Sequence, residues 1–158
     1  MPDGKKWLTE NLNIETADSW CYNSSPDSCM KYGKLYTWEA AKSACQSIGK
    51  RLPTNAEWDA LVTAAGGQAA GERLKAKSGW YNYGNGTDQY GFSALSGGRR
   101  LSDGDFDNAG YYGYWWTATE DKYSGGDAYY KDMGYDYDFV YNGSYEKSKG
   151  YSVRCIEN

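Results

Sequence analysis

The chain has 158 residues, enough to bury the core of one domain over 1–158, and 17% of them are aromatic, which argues against disorder despite a mean hydropathy of −0.86. The net charge is −4 and no basic run occurs, so the clustered Lys and Arg that bind nucleic-acid phosphates are missing. No segment approaches the roughly 20 apolar residues of a membrane span, and the absence of histidine excludes Ser-His-Asp and Cys-His catalytic arrangements. We therefore expect no nucleic-acid partner and no direct insertion into a membrane.

The first third of the chain predicts one strand and one helix. The run WLTENL at 7–12 alternates apolar and polar residues and predicts the first strand. A helix is predicted over 38–48, with Thr37 as its N-cap and Gly49 just past its end. Its apolar residues recur at helical spacing and define one buried face: Trp38, Ala41, Cys45 and Ile48.

The clearest helix start is a capping box at Thr54 and Glu57. In such a box the Thr54 hydroxyl accepts the N3 amide, and the Glu57 carboxylate accepts the N-cap amide. The pair Gly66-Gly67 ends this helix, and a shorter helix is predicted over 70–76.

A long irregular region is predicted from 78 to 114, where Gly, Asn and Asp are frequent. We expect turns and short strands there, held to the core by Phe92 and Leu95. The run DGDFD at 103–107 places three carboxylates at alternate positions, as calcium loops do, but the Gly and Glu that such loops need further along are missing. The same run contains a hairpin-turn signal, so we predict no metal site.

Four cysteines without histidine argue against a zinc site and allow three disulfide pairings. We favour Cys21–Cys29, whose intervening loop is rich in turn-forming residues, together with Cys45–Cys155, which joins a predicted helix to the last predicted strand. Disulfides would indicate an oxidising, exported setting. Four buried free thiols of a cytosolic protein are the alternative.

The segment 121–149 differs in composition from the stretches on either side of it. The runs WWTAT at 115–119 and GYSVRCI at 150–156 are rich in aromatic and β-branched residues and are predicted as buried strands. Between them Tyr, Gly, Ser, Asn and Asp dominate. Binding loops of antibodies use these residues, because Tyr supplies rigid contact area and the small polar residues supply hydrogen bonds. We therefore predict a binding surface in this segment.

Strand alternation divides this segment into inward and outward residues. If Tyr129 and Met133 face the core, Tyr130 and Asp132 face solvent. The next stretch, 135–138, is predicted as the loop to the following strand. An ordinary sheet region whose exposed tyrosines bind nothing is the alternative interpretation.

The following strand is predicted to be anchored by Phe139 or Val140. The stretch from 132 to 146 contains four carboxylates and no Lys or Arg, so its surface suits basic proteins, cations or sugars better than anions. The predicted ligand-binding residues are aromatic or polar: Tyr123, Tyr130, Asp132, Tyr135, Asp136, Tyr137, Asp138, Tyr141, Asn142 and Tyr145.

Six sequence blocks, in order along nearly the whole chain, resemble the Fibrobacter succinogenes major paralogous domain. The blocks are WLTENL at 7–12, YGKLYTWEAA at 32–41, RLPTNAEW at 51–58, GFSAL at 91–95, WWTATE at 115–120 and SVRC at 152–155. That family is similar to C-type-lectin-like and formylglycine-generating-enzyme-like folds. The resemblance implies an α+β fold in which two helices pack on twisted antiparallel strands, with a long irregular loop region. It also implies the Cys45–Cys155 bridge.

The resemblance implies binding rather than catalysis. Formylglycine generation uses a redox-active cysteine pair near the end of the fold, where this chain has only Cys155. Calcium-dependent sugar binding by C-type lectins uses a proline motif in the long loop, whereas the prolines here are Pro2, Pro26 and Pro53. Some related lectin-like proteins vary the segment before the last strand through a diversity-generating retroelement. Mutation of adenines converts Asn codons into those of Tyr, Asp, Ser or Gly, which matches the composition of 121–149.

Together these observations predict a non-enzymatic ligand-binding module that needs no cofactor. We expect an exported, cell-surface or extracellular bacterial adhesin that binds a protein or glycan ligand on another cell or surface, through a hypervariable 121–149 segment. Its start is interpreted as a cut from a longer protein whose export signal lies outside this sequence. The alternative is a carbohydrate-binding module associated with polysaccharide degradation. An enzyme built on a carboxylate pair and a purely structural surface domain are further alternatives.

Overall fold

The computed structural model describes residues 1–158 as an α+β fold with four helices, a mixed sheet and two disulfides. The helices are α1 (Pro26–Tyr32), α2 (Trp38–Ser47), α3 (Asn55–Ala64) and α4 (Ala70–Leu74). The strands are β1 (Ser19–Trp20), β2 (Leu35–Tyr36), β3 (Gly97–Arg100), β4 (Phe106–Ala109), β5 (Tyr112–Glu120), β6 (Asp127–Gly134) and β7 (Tyr141–Glu146). Strands β1 and β2 form a separate pair, and the other five form one sheet in the order β4-β3-β5-β6-β7. Only β3 and β5 run parallel.

Both faces of the large sheet are covered, because successive side chains of β5 point to opposite faces. Trp116 lies in a core shared with α2, which we call the α2-side core. Trp115 lies in a core shared with α3 and α4, which we call the α3-side core. Both tryptophans are fully buried. Strand β6 is therefore packed between two apolar layers along much of its length.

Both predicted helices with capping signals are confirmed. Thr37 accepts the amide of Ala40 and begins α2, and the capping box of Thr54 and Glu57 begins α3. Arg51 adds two hydrogen bonds of 2.6 and 2.7 Å to the Glu57 carboxylate. These bonds, opposed by partial burial, lower the pKa of Glu57 to about 2. The start of α3 is thus fixed by both backbone and side-chain partners.

The predicted disulfides, Cys21–Cys29 and Cys45–Cys155, are both present. The first bridge does not simply close a loop, as the turn-forming residues suggested, because Cys29 lies on α1. Pro26 occupies the start of that helix, a position where its missing N–H leaves no bond unmade. The second bridge ties α2 to the end of the chain in the middle of the α2-side core.

The predicted strand at 7–12 is wrong. Only Trp7 forms a bridge, to Ile156, and the chain then bends so that Asn11 turns inward. The Asn11 side-chain oxygen accepts hydrogen bonds of 2.9 Å from the indole of Trp115 and 2.7 Å from Arg154. These buried polar contacts replace a regular ladder.

The predicted strand at 150–156 is buried and forms bridges, but it is not continuous. Its residues form isolated bridges with five other parts of the chain, so no continuous strand forms. In the irregular region Phe92 is buried as predicted, whereas Leu95 is only half buried and Ala94 lies in the core instead. The short helix α4 ends at Leu74, because Lys75 is already extended.

The first three residues of the DGDFD run lie in the turn between the antiparallel strands β3 and β4, as the hairpin interpretation predicted, and Phe106 begins β4. Asp107 is engaged in two hydrogen bonds with Arg99, of 2.8 and 3.2 Å. No helix in the structure combines the length and apolar character needed to cross a membrane.

Candidate binding surface

The segment 121–149 consists of a turn, the β6–β7 hairpin and the loop at 135–140 that joins the two strands. Tyr123 projects from the turn with 96% of its surface exposed and no aromatic neighbour. Tyr135, Asp136, Tyr137 and Asp138 lie in the connecting loop, as predicted. The turn and the connecting loop are therefore two separate exposed regions of the segment.

Tyr130 and Asp132 do not face solvent, contrary to the prediction. They are 9% and 7% exposed, and Tyr130 packs 5.1 Å from the ring of Tyr151 in the α2-side core. Tyr129, predicted to point inward, is only half buried on the opposite face. The alternation itself is regular, but the assumption that one face of β6 is exposed was wrong, because both faces are covered.

Six aromatic side chains form a continuous surface cluster, which we call the tyrosine platform. Each ring lies between 4.5 and 6.2 Å from the centroid of at least one other member. The members are Tyr81, Tyr111, Tyr112, Tyr135, Tyr137 and Phe139. All six are exposed or half buried, so together they offer an aromatic contact area to a partner.

Three of the platform rings come from outside 121–149 and were not predicted. Tyr81 and Tyr111 pack 4.6 Å apart, and both lie within 5.6 Å of Tyr135. The stretches that carry them, WYNYGNG at 80–86 and NAGYYG at 108–113, share the Tyr-Gly-Asn composition of the predicted segment. That composition was a usable signal, although the sequence did not indicate that the stretches meet.

Carboxylates lie among the platform rings. The Tyr137 hydroxyl donates to Asp132 beneath it, and the Tyr112 hydroxyl donates to Asp136 at 3.3 Å. Burial raises the pKa of Asp132 to about 6, although the Tyr137 hydrogen bond and the charge of Arg99 act in the opposite direction. Asp138 is exposed at the edge of the loop. The platform is therefore aromatic and acidic.

The loop that carries the platform is held from below by α4 and the residue after it. The buried ammonium of Lys75 donates to the carbonyl oxygens of Gly134 at 2.9 Å and Tyr137 at 3.0 Å. The amide of Glu72 donates to the carbonyl of Asp138 at 3.1 Å. Val140, one of the two predicted anchors, packs against the α3-side core, whereas Phe139 is exposed and stacks on Tyr137. These contacts hold the loop, and with it the rings of Tyr135, Tyr137 and Phe139, in position before any ligand binds.

The remaining predicted residues lie on β7, at the edge of the sheet. Tyr141 and Tyr145 are exposed, and their side chains lie on the same face of the sheet as the side chain of Tyr130 on β6. Asn142 is exposed, but its side-chain oxygen accepts a 2.7 Å hydrogen bond from the buried Lys131. Asn142 thus supplies a hydrogen-bond acceptor to the buried ammonium of Lys131, which also forms an ion pair with Asp59.

A cleft with a volume of about 420 Å³ lies elsewhere on the molecule. It is bordered by Glu10, Asn11, Met30 and Tyr32, and none of the predicted ligand-binding residues reaches it. The amide of Asn11 is already bonded to the Tyr32 carbonyl at 2.8 Å. Tyr32 is the only aromatic side chain at this cleft, whereas the platform joins six aromatic rings, so the platform is the better candidate. No group of three or more Cys, Asp and Glu side chains is arranged to hold a metal ion.

The fold and the surface describe an α+β domain, braced by two disulfides, that presents a preformed aromatic patch. The chain belongs to the Fibrobacter succinogenes major domain family, whose model matches residues 3–157. Searches of curated proteins and of solved structures each returned no match.

Proposed function

We propose that this protein is a non-enzymatic binding module that holds a macromolecular ligand, a protein or a glycan, on the tyrosine platform and the neighbouring residues of 121–149. The observation that carries the proposal is the contact among six exposed or half-buried rings, three of which lie on a loop that is fixed by the buried Lys75. Rings that are fixed in advance lose little conformational entropy on binding. A central ring such as Tyr135 or Tyr137 would contribute about 2 kcal/mol or more if it forms a hot spot.

The proposal includes an exported or cell-surface location and a C-type-lectin-like fold. Two disulfides support the location, because such bonds persist in oxidising compartments. The mixture of helices and a mixed sheet, with the chain end bridged to α2, supports the fold assignment. Both parts agree with what the family resemblance implies.

The proposal also includes diversification of the segment by a retroelement. Burial restricts which positions of 121–149 tolerate change, so Tyr130 and Met133 would stay constant while 135–142 varies. Genomic DNA tests this part. A reverse transcriptase gene near an adenine-rich copy of codons 115–155 would support it, and the lack of both would contradict it.

Binding by the platform is tested with peptides selected from a random library on the immobilised protein. The triple variant Tyr81→Ser, Tyr111→Ser, Tyr135→Ser is expected to lose at least tenfold in affinity by calorimetry, a loss of about 1.4 kcal/mol. Tyr83→Ser is the matched control, because its ring is almost fully exposed and touches no other ring. An equal loss in the control, or no loss in the triple variant, would contradict the proposal.

A carbohydrate-binding module of polysaccharide degradation is the second candidate. Tyr81 and Tyr111 lie 4.6 Å apart at an angle of 34°, and the exposed carboxylate of Asp136 accepts a hydrogen bond from Tyr112 in the same platform. Rings of this kind can stack on sugar faces while a carboxylate accepts hydroxyl hydrogen bonds. Neutral plant and bacterial glycans on an array, probed with the same variants, distinguish this candidate from peptide binding.

A further inference from the structure

Strand β7 forms one edge of the five-stranded sheet, and no other strand pairs with its outer side. It runs from Tyr141 to Glu146 and pairs with β6 over six residues without a bulge. It contains no Pro, Lys or Arg. Natural proteins protect exposed edges with such residues, with bulges or with very short strands, because a bare edge recruits another strand. A regular edge that lacks these features is therefore a candidate binding surface.

The opposite edge of the same sheet is covered. Strand β4 has only four residues. The ring of Tyr22 packs 5.5 Å from that of Phe106, and the Tyr22 hydroxyl accepts a 3.5 Å hydrogen bond from the amide of Ala109. The two edges thus differ, and the free edge is the one that follows the platform loop.

The register shows which main-chain groups of β7 face outward. In an antiparallel pair, residues bonded to the neighbouring strand alternate with residues whose N–H and C=O point away from it. The amide of Lys147 donates to the carbonyl of Gly126 at 3.4 Å, and this pair continues the register of β6 and β7. The odd positions of β7 are therefore bonded to β6, whereas Asn142 and Ser144 direct their N–H and C=O groups outward. No other part of the chain bonds to these four groups.

The two faces of β7 differ in character. Tyr141 and Tyr145 are exposed on one face, and Gly143 between them has no side chain. An apolar side chain of a docked strand, placed opposite Gly143, would lie between the two tyrosines. On the other face, Ser144 donates a 2.6 Å hydrogen bond to the half-buried carboxylate of Asp121. A basic side chain placed opposite Ser144 would lie beside that carboxylate.

We infer that β7 binds an extended segment of a partner protein as an additional antiparallel strand, and that this segment alternates apolar and basic residues. Main-chain hydrogen bonds to Asn142 and Ser144 would supply affinity, and the side chains on the two faces would supply specificity. The antiparallel direction is the more stable one per residue. The inference rests on the proposed function, because β7 belongs to the proposed surface and Phe139 of the platform lies two positions before Tyr141. It assigns that function a protein ligand rather than a glycan.

Charge favours a basic partner over a second copy of this chain. The stretch 132–146 contains four carboxylates and no Lys or Arg, and the whole chain has a net charge of −4. Two such edges would bring like charges together, whereas Lys or Arg side chains on a different protein would complement them. Self-association through β7 is therefore the alternative that the experiment must exclude.

The test uses the full chain, NMR-detected hydrogen exchange and a synthetic peptide, acetyl-Lys-Val-Lys-Val-Lys-Val-Lys-amide, which we call the Lys-Val peptide. In the free protein, the amides of Asn142 and Ser144 should exchange faster than those of Gly143 and Tyr145, because only the latter are bonded to β6. At a peptide concentration of about ten times Kd, exchange at Asn142 and Ser144 should slow about tenfold. Unchanged exchange at both amides, or no binding of the peptide, would overturn the inference.

Two N-methylated versions of the peptide separate strand addition from other binding modes. Methylation of the lysine amides removes the donors that face Asn142 and Ser144, so affinity should fall at least about tenfold. Methylation of the valine amides is the matched control, because these amides point away from β7, and affinity should change by less than about threefold. Equal losses, or a larger loss with the valine-methylated peptide, would overturn the inference.

Asp121→Asn tests the basic character of the ligand. The change keeps an oxygen that can accept the Ser144 hydrogen bond but removes the charge, so affinity for the Lys-Val peptide should fall about threefold and depend less on salt. The control is Asp27→Asn, an exposed carboxylate on α1 outside the proposed surface, which should bind as wild type. Equal affinity in the two variants would overturn the assignment of a basic partner.

Two further outcomes identify which statement fails. Protection of Asn142 and Ser144 that rises with protein concentration in the absence of peptide would overturn the choice of partner in favour of a second copy. Library-selected peptides that bind the triple platform variant as wild type, while the Lys-Val peptide still protects β7, would count against the proposed function alone. Loss of platform binding in that variant, without protection of β7 by the Lys-Val peptide in the wild type, would count against this inference alone.

Discussion

The ammonium of Lys75 donates a 3.0 Å hydrogen bond to the main-chain carbonyl of Tyr137, 62 residues further along the chain. The same ammonium donates to the carbonyl of Gly134 at 2.9 Å. Burial lowers the pKa of Lys75, and the charges of Asp138, Glu72 and Asp136 counter this effect. The position of the platform loop therefore depends on a buried side chain that is not itself part of the surface.

Lys75→Met should destabilise the protein and loosen the platform. The change keeps the length of the side chain but leaves two carbonyls without their donor, which costs about 2–3 kcal/mol in the free energy of unfolding. Urea unfolding measures this loss, and Lys77→Met, at an exposed position two residues later, is the matched control. A loss below about 0.5 kcal/mol in both variants would show that the loop is held by other contacts.

Thr54→Ala should cost about 1 kcal/mol, because the hydroxyl that accepts the Glu57 amide at 3.2 Å is lost from the start of α3. Thr63→Ala, at an exposed position near the end of the same helix, should change stability by less than about 0.5 kcal/mol. Equal effects at the two positions would mean that the N-cap contributes nothing beyond helix propensity.

The features predicted correctly depend on residues close together in sequence. The capping box at Thr54 needs only the next three residues, and the N-cap at Thr37 is equally local. The Cys21–Cys29 bridge spans eight positions. The long-range Cys45–Cys155 bridge is the exception, because the resemblance to a known family supported it.

The features missed depend on contacts between distant residues. Alternation along β6 gave the correct period, but Tyr130 is buried because the chain end brings Tyr151 against it. Asn11 was expected in a strand, and instead it binds Arg154 from the other end of the chain. The platform partners Tyr81 and Tyr135 lie 5.4 Å apart although more than 50 residues separate them in sequence. No local pattern in the sequence indicates such contacts between distant residues.

Gly134→Ala should disturb the platform although Gly134 is itself buried and forms no part of the exposed surface. A Cβ at this position would lie 2.7 Å from the ring of Tyr112 and also overlap the ring of Tyr137, so at least one ring must move. We expect a changed near-ultraviolet circular dichroism spectrum and at least fivefold weaker binding of the selected peptides, about 1 kcal/mol. Gly126→Ala is the control, because a Cβ there meets nothing within 4 Å. A variant that binds as wild type would show that ring positions do not matter.

Asp132 should give the protein a specific pH dependence of stability. Burial raises the pKa of its carboxyl to about 6 from 3.8. The folded state therefore binds a proton more readily than the unfolded state, and the ionised carboxyl costs stability above about pH 6. As the pH falls from about 6 to about 4, that cost disappears. The wild type should then gain up to about 3 kcal/mol relative to Asp132→Asn, whose amide does not titrate.

Urea unfolding of the wild type and Asp132→Asn at several values between pH 4 and pH 7 measures this difference. Tyr137→Phe supplies the matched test, because it removes a hydrogen bond that favours the charged carboxyl. In that variant the pKa of Asp132 should rise further, and the gain in stability should begin at a higher pH than in the wild type. A stability difference between wild type and Asp132→Asn that is constant across this range would mean that Asp132 titrates at its ordinary pKa, and hence that water reaches the carboxyl beneath the platform.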